Sequence, residues 1–268
     1  MEYLIAVDLE GVHGVVGEPM KGLGKVSCAE EWSKAVESAT VEINAAVRAL
    51  YDSGATEVYV WDNHAGGGNL DPAKLDPRAP ILRVDNSRPR MSFFAEHNFA
   101  GMLFIGYHAR EGSPGILAHT YNSSQNQYMK VNGKQLGEFD FDACIAGSYG
   151  VPAIFAASDD VCLAQIKECN SETVTVLTKY AKGRNEAVFR DRADVEKDIY
   201  EGVKRAVRTN VPVVTMSFPC EYEVRYTRME TAAWLKADKL ADLDVTYGED
   251  IHILKKTLKN IDEIRRFL

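Results

Sequence analysis

Three apolar runs in the first half of this chain each end in side chains that could hold a metal ion. Asp8 and Glu10 follow the run at residues 3–7, His64 follows residues 57–61, and His108 follows residues 102–107. Runs of this length read as short buried strands. In an open parallel sheet, ligands bind outside the carboxyl ends of the strands. The three ends therefore fall along one edge, where topology brings together residues that are distant in sequence. Two carboxylates with two imidazoles form an oxygen and nitrogen donor set suited to zinc, or to manganese or cobalt. Glu138 and His119, in the region after the third run, can reach the same edge.

Each residue taken singly has an ordinary structural role open to it. Asp8 could cap a turn, and Glu10 beside Gly11 could be a solvated loop acid. His64 could bond to Asp62 or to backbone, and His108 could be a buried strand-end histidine. It is their meeting at one sheet edge that favours a metal centre. Asp159 and Asp160 end a fourth run but directly precede a helix, so N-capping is the better reading for that pair. The Gly66-Gly67-Gly68 stretch lacks the Gly-Lys-Ser/Thr ending of a phosphate-binding loop and reads as a flexible loop. There is no Gly-x-Ser-x-Gly elbow and no His-Glu-x-x-His helix.

The elements needed to position these groups are legible in outline. Ser27-Cys28-Ala29-Glu30 has the spacing of a capping box. A helical pattern then runs through Trp32, Val36, Ile43 and Leu50 to a stop at Gly54. Strand, helix and strand at this spacing make a βαβ unit with parallel pairing. Residues 127–136 read as a hairpin turning on Asn132-Gly133. A short helix at 141–149, a strand at 153–157, a helix at 161–167 and a strand at 173–177 continue the pattern. Beyond about residue 190 the pattern changes. A helix at 195–208 precedes strands at 211–217 and 222–226, a short helix at 232–235 and a final amphipathic helix from about Ile251. The expected fold is α/β: a three-layer α/β/α domain with a largely parallel sheet over residues 1–190, then a smaller α+β domain over 191–268.

The 268 residues carry a formal net charge of -8, which argues against a nucleic-acid partner. No run of about 18 apolar residues offers a membrane span, and the acidic N-terminus is unlike a secretory signal. Five scattered cysteines suggest no disulfide framework. The expected compartment is the reducing cytoplasm.

Five blocks, in order, carry a family resemblance. They are Val7-Asp8-Leu9-Glu10-Gly11, Asp62-Asn63-His64, Gly106-Tyr107-His108-Ala109-Arg110, Pro114 to His119, and Asn132-Gly133 through Gly137-Glu138. Together they resemble the zinc D-aminopeptidases, whose type member is encoded in a bacterial dipeptide-transport operon. The resemblance is close over roughly the first 190 residues. It implies two zinc ions per subunit bridged by Asp8, with Glu10 and His108 completing one site and His64 and Glu138 the other. His119 matches the family's catalytic histidine. The resemblance also implies a homodecamer of two stacked pentameric rings that admits only short peptides. The polar loop at 120–127 departs from the family's pattern, so a D-residue preference does not follow from the metal motif.

The function this implies is a metallopeptidase removing the N-terminal residue of short peptides by attack of a metal-bound water, with D-amino-acid preference. His119 would stabilise the oxyanion or protonate the leaving amine, or else orient a ligand. An acid such as Asp159 could hold the substrate amine. Two other readings compete. One is a dinuclear hydrolase of another amide or a phosphoester, which the scarcity of basic residues near the motifs, apart from Arg110, disfavours. The other is a non-catalytic metal- or peptide-binding protein of a transport operon.

Overall fold

The computed structural model describes residues 1–85 and 87–268. In chain order the elements are β1 (Glu2–Val7), α1 (Ala29–Asp52), β2 (Glu57–Asp62), a 3-10 turn (Ser92–Glu96), β3 (Phe99–Ile105), β4 (Asn126–Val131), β5 (Lys134–Gln135), α2 (Glu138–Ser148), β6 (Ala153–Asp159) and α3 (Asp160–Cys169). There follow β7 (Val174–Gly183), β8 (Glu186–Phe189), α4 (Arg192–Ala206), β9 (Cys220–Tyr226), α5 (Met229–Ala237), β10 (Thr246–Tyr247), β11 (Ile253–Leu258) and α6 (Ile261–Arg265).

One sheet has the strand order β2-β1-β3-β6-β7-β8. Its first five strands are parallel and only the edge strand β8 is antiparallel. Alternate residues of β1 feed opposite cores. Tyr3, Ile5 and Val7 pack with α1 and α4 residues such as Ile43 and Val203, whereas Leu4 and Ala6 pack with Phe139 of α2 and Ile166 of α3. A strand covered on both faces needs a continuous apolar run, and β1 has one. The result is the expected helix–sheet–helix layering.

The second sheet, β10-β11-β9-β4-β5, is antiparallel and has its own core around Tyr222, Val224 and Leu254. Helix α2 lies between the two sheets, giving Phe139 to the first core and Phe141 to the second. That position explains why nearly every residue of α2 is buried. The sheets interleave along the chain. Strand β4, from before residue 190, pairs with β9, and α4, from after it, shares a core with α1. A cut at residue 190 would separate both pairs.

Some local expectations change. The Asn132-Gly133 turn forms as expected, with φ of 48° and 78°. The capping box does not form: Cys28 is the N-cap without a side-chain bond, Ser27 Oγ donates to Gly22 O, and Glu31 receives the N–H groups of Val16 and Gly17. Residues 211–217 are irregular rather than a strand. The final helix expected from Ile251 is strand β11 followed by the short α6. The pairing of residues 253–258 with β9 overrides the threes-and-fours spacing of the apolar residues. The hairpin formed by β7 and β8 was not foreseen.

Candidate metal centre

Adjacent strands β2, β1 and β3 deliver His64, the Asp8/Glu10 pair and His108 to one edge of the parallel sheet. Two glycines let the loops after β1 and β3 touch. Gly11 N–H donates to Gly106 O at 2.7 Å. A Cβ on Gly11 would lie 2.1 Å from Tyr107 O, and one on Gly106 would lie 2.1 Å from Asp8 O. Gly106 also has φ of +76°, a conformation side chains resist. Glu138 arrives differently, as the first residue of α2, where the helix N-terminus favours a carboxylate. The loop before it, carrying His119, is strained on either side: Leu117 and Tyr121 have φ of 50° and 58°. Backbone strain of this kind tends to gather at functional sites.

All three imidazoles are oriented in the same manner. His64 Nε2 lies 2.6 Å from Leu23 O, His108 Nδ1 lies 3.1 Å from Ala109 O, and His119 Nδ1 lies 2.8 Å from Leu117 O. A carbonyl oxygen only accepts, so each of these nitrogens carries the hydrogen and leaves the opposite ring nitrogen for another partner. Those opposite nitrogens face carboxylates. His64 Nδ1 is 2.8 Å from Asp8 Oδ1 and 3.3 Å from Glu10 Oε2. His108 Nε2 is 3.1 Å from Glu138 Oε1 and 3.6 Å from Asp8 Oδ2, and it is buried with no hydrogen-bond partner. His119 Nε2 is 3.8 Å from Glu138 Oε1, and its ring stacks on His108 with centroids 3.9 Å apart.

Two triads have ligand atoms within 4.8 Å of one another and share Asp8: Asp8-Glu10-His64 and Asp8-His108-Glu138. A third combines Glu10, His108 and His119. Asp8 is the residue common to the first two triads. Glu10 lies within reach of both histidines, with His64 in one triad and with His108 in another, while Glu138 groups with His108.

The charges in the cluster call for a cation. Asp8 is pushed up to about 7 by burial and by the charge of Glu10. Glu10, although burial opposes it, is held well below the usual range by His64 and His108. Glu138 is likewise held at about 2 by His108, against the effect of burial. Burial opposes protonation of both histidines, yet Glu10 and Asp8 raise His64 to about 12 and Glu138 raises His108 to about 10. The buried carboxylates thus pull positive charge towards this cluster, the role a metal cation would fill. His119 differs. Burial and the neighbouring His108 hold it below its ordinary value, which leaves a neutral imidazole near pH 7.

The site opens into a cavity of about 260 Å³ lined by Asp8, Glu10, His64, His119, Glu138 and Arg184, among others. A larger cavity of about 520 Å³ adjoins it, sharing Asn63, Ala65 and Arg90, but it reaches none of the candidate ligands. Asp159 lies outside both cavities. Its carboxylate accepts from Cys162 N–H and Ile116 N–H, so it caps α3 and is not placed to hold a substrate amine. Arg110 faces Glu168 at 3.7 Å, also away from the site.

The family model described as D-aminopeptidase matches residues 1–264. The chain belongs to the D-aminopeptidase family of peptidases. The site just described is the candidate for that family's chemistry. A D-aminopeptidase of Bacillus subtilis (strain 168) is 30% identical over 185 residues, a stretch covering 69% of this chain and 66% of that protein. Among solved structures, the Zn-dependent D-aminopeptidase DppA from Bacillus subtilis, described as a self-compartmentalizing protease, superposes with a TM-score of 0.85. It covers 99% of this chain and 94% of its own at 24% identity, so the fold of this family member is that of DppA.

Two residues at the site gave no signal in the sequence. Arg184 reaches the cavity from the turn between β7 and β8. Lys179, wholly buried on β7, donates to the carbonyl oxygens of Glu10, Val12 and Val15 at 2.6, 2.7 and 2.7 Å.

Proposed function

We propose that this chain is a zinc-dependent aminopeptidase acting on short peptides, with two zinc ions held by Asp8, Glu10, His64, His108 and Glu138. The observation that carries this reading is the common orientation of the imidazoles. Each gives one N–H to a backbone carbonyl, and the buried, unpartnered Nε2 of His108 points at two carboxylates. When bound, a zinc pair supplies Lewis acidity that activates water and stabilises developing negative charge.

The protein's own groups do the remaining work. Hydrogen bonds from Leu9 N–H to both Asp8 and Glu10 fix the carboxylates, and Tyr121 N–H fixes Glu138 at 2.7 Å. His119, with its Nδ1–H committed to Leu117 O, presents a basic Nε2 that can take up a proton and return it to the leaving amine. Stacking on His108 holds its ring in place.

Preference for a D-residue at the amino end is part of the proposal, on the strength of the family. So is assembly into a decamer of two pentameric rings, supported by the self-compartmentalizing character of DppA. Exposed apolar side chains such as Trp234, Met229 and Ile251 would favour self-association. Five free cysteines accord with a reducing compartment such as the cytoplasm. No helix among the described residues is long and apolar enough to cross a membrane.

The test is a panel of D- and L-aminoacyl dipeptides and p-nitroanilides, offered to zinc-loaded protein with and without chelator. Chelator-sensitive release of the N-terminal residue, fastest for D-substrates, supports the reading. Zinc-loaded protein that turns over none of them contradicts it.

A further inference from the structure

Five charged residues besides histidine line the cavity at the metal centre: Asp8, Glu10, Glu138, Arg90 and Arg184. The three acids belong to the candidate metal ligands. Arg90 is already neutralised, since its Nε and Nη2 bind both oxygens of Asp142 at 2.7 Å each. Arg184 has no carboxylate within salt-bridge distance among the described residues. Its Nη1 donates to Ala118 O at 2.5 Å, and its own carbonyl accepts from Leu117 N–H at 2.9 Å. These two bonds hold the guanidinium beside the segment that carries His119, and they use one of the five donors of its planar fork. The remaining donors are free to bind a ligand.

A cavity of about 260 Å³ lies just below the range of about 300–1,000 Å³ usual for small-molecule sites. Its substrate is accordingly small. A short peptide is a zwitterion; with the three acids of the lining committed to metal and Arg90 to Asp142, Arg184 is the charged side chain of the cavity left to meet its carboxylate. A guanidinium fork pairs with a carboxylate by two parallel hydrogen bonds.

We propose that Arg184 binds the C-terminal carboxylate of the substrate, which makes it the residue that selects short peptides with a free carboxyl end. This inference rests on the aminopeptidase reading above. It assigns to the β7–β8 hairpin a role in recognition beyond closing the edge of the sheet.

The experiment compares a good dipeptide substrate with its C-terminal amide, using zinc-loaded wild type, Arg184→Gln and Arg184→Lys. The wild type is expected to favour the acid by about tenfold in kcat/KM, expressed mainly in KM. Arg184→Gln should bring the two substrates level by losing the acid alone, and Arg184→Lys should restore part of the difference. Calorimetric binding of a reduced-bond dipeptide and its amide gives the same comparison without turnover. A wild type that treats acid and amide alike overturns the proposal while leaving the aminopeptidase reading intact, and needs no variant to fold. Equal losses on both substrates in Arg184→Gln also overturn it, because they mark a strut for the His119 segment. Failure to hydrolyse any peptide overturns both readings.

Discussion

The ammonium of Lys179 lies 2.6 Å from the main-chain oxygen of Glu10, although 169 residues separate the two in sequence. It also binds the oxygens of Val12 and Val15, while the neighbouring Thr178 Oγ1 donates to Gly11 O at 2.6 Å. Strand β7 thereby fastens the loop that holds Asp8 and Glu10 in place.

Replacing Lys179 with Met leaves three buried carbonyls without their donor, at a cost of about 1–3 kcal/mol for each group left unsatisfied. The variant should melt at lower temperature. It should also bind zinc roughly 10–100-fold more weakly, as found when groups supporting metal ligands are removed. A chelator-competition titration measures this. Unchanged zinc affinity would show that the loop keeps its shape without the lysine.

His119 faces Glu138 at 3.8 Å and stacks on His108, but it is not part of either triad that shares Asp8. His119→Ala should therefore retain its zinc, measured by elemental analysis, while losing about 10²–10⁴-fold in turnover, the usual span for a proton-transferring group. Near wild-type turnover with full zinc would end the catalytic assignment.

Glu42 offers a pH prediction remote from the metal centre. It is buried, its Oε1 accepts from His13 N–H at 2.7 Å, and its Oε2 has no partner. Burial pushes it up to about 7, against the pull of the His13 hydrogen bond and of Lys179. Between the ordinary carboxylate value of 4.5 and about 7, the folded state binds more protons at this site than the unfolded state. Its contribution to stability is thus fully present below about 4.5 and is lost as pH rises towards 7. Glu42→Gln should remove that slope. Relative to wild type, the variant should gain a few kcal/mol on going from pH 4.5 to pH 8, followed by denaturant melts at each pH. A constant difference across the range would refute the assignment.

The candidate ligands were legible because three apolar runs end in Asp8/Glu10, His64 and His108, and parallel topology brings such ends to one edge. Glu138 could be placed within reach of that edge, but only the resemblance made it a ligand, since it enters on α2 rather than on a strand. Grouping the ligands into triads depends on side-chain directions fixed by the carbonyls of Leu23 and Ala109, which no spacing encodes. Lys179 and Arg184 were hidden for a related reason: their partners come from remote loops. Residues 253–258 failed differently. Ile251, Leu254 and Leu258 fit a helical period, and only the neighbouring strand β9 decides for a sheet.

The central claim is a two-metal centre bridged by Asp8. Its most direct test is the zinc stoichiometry of purified protein after dialysis against metal-free buffer, for wild type, Asp8→Ala, Glu10→Ala and Glu138→Ala. Two zincs per chain are predicted for wild type, none tightly held in Asp8→Ala, and one in each of the other two. Asp8→Ala retaining two tightly bound zincs, or a wild type holding a single ion, would contradict the claim.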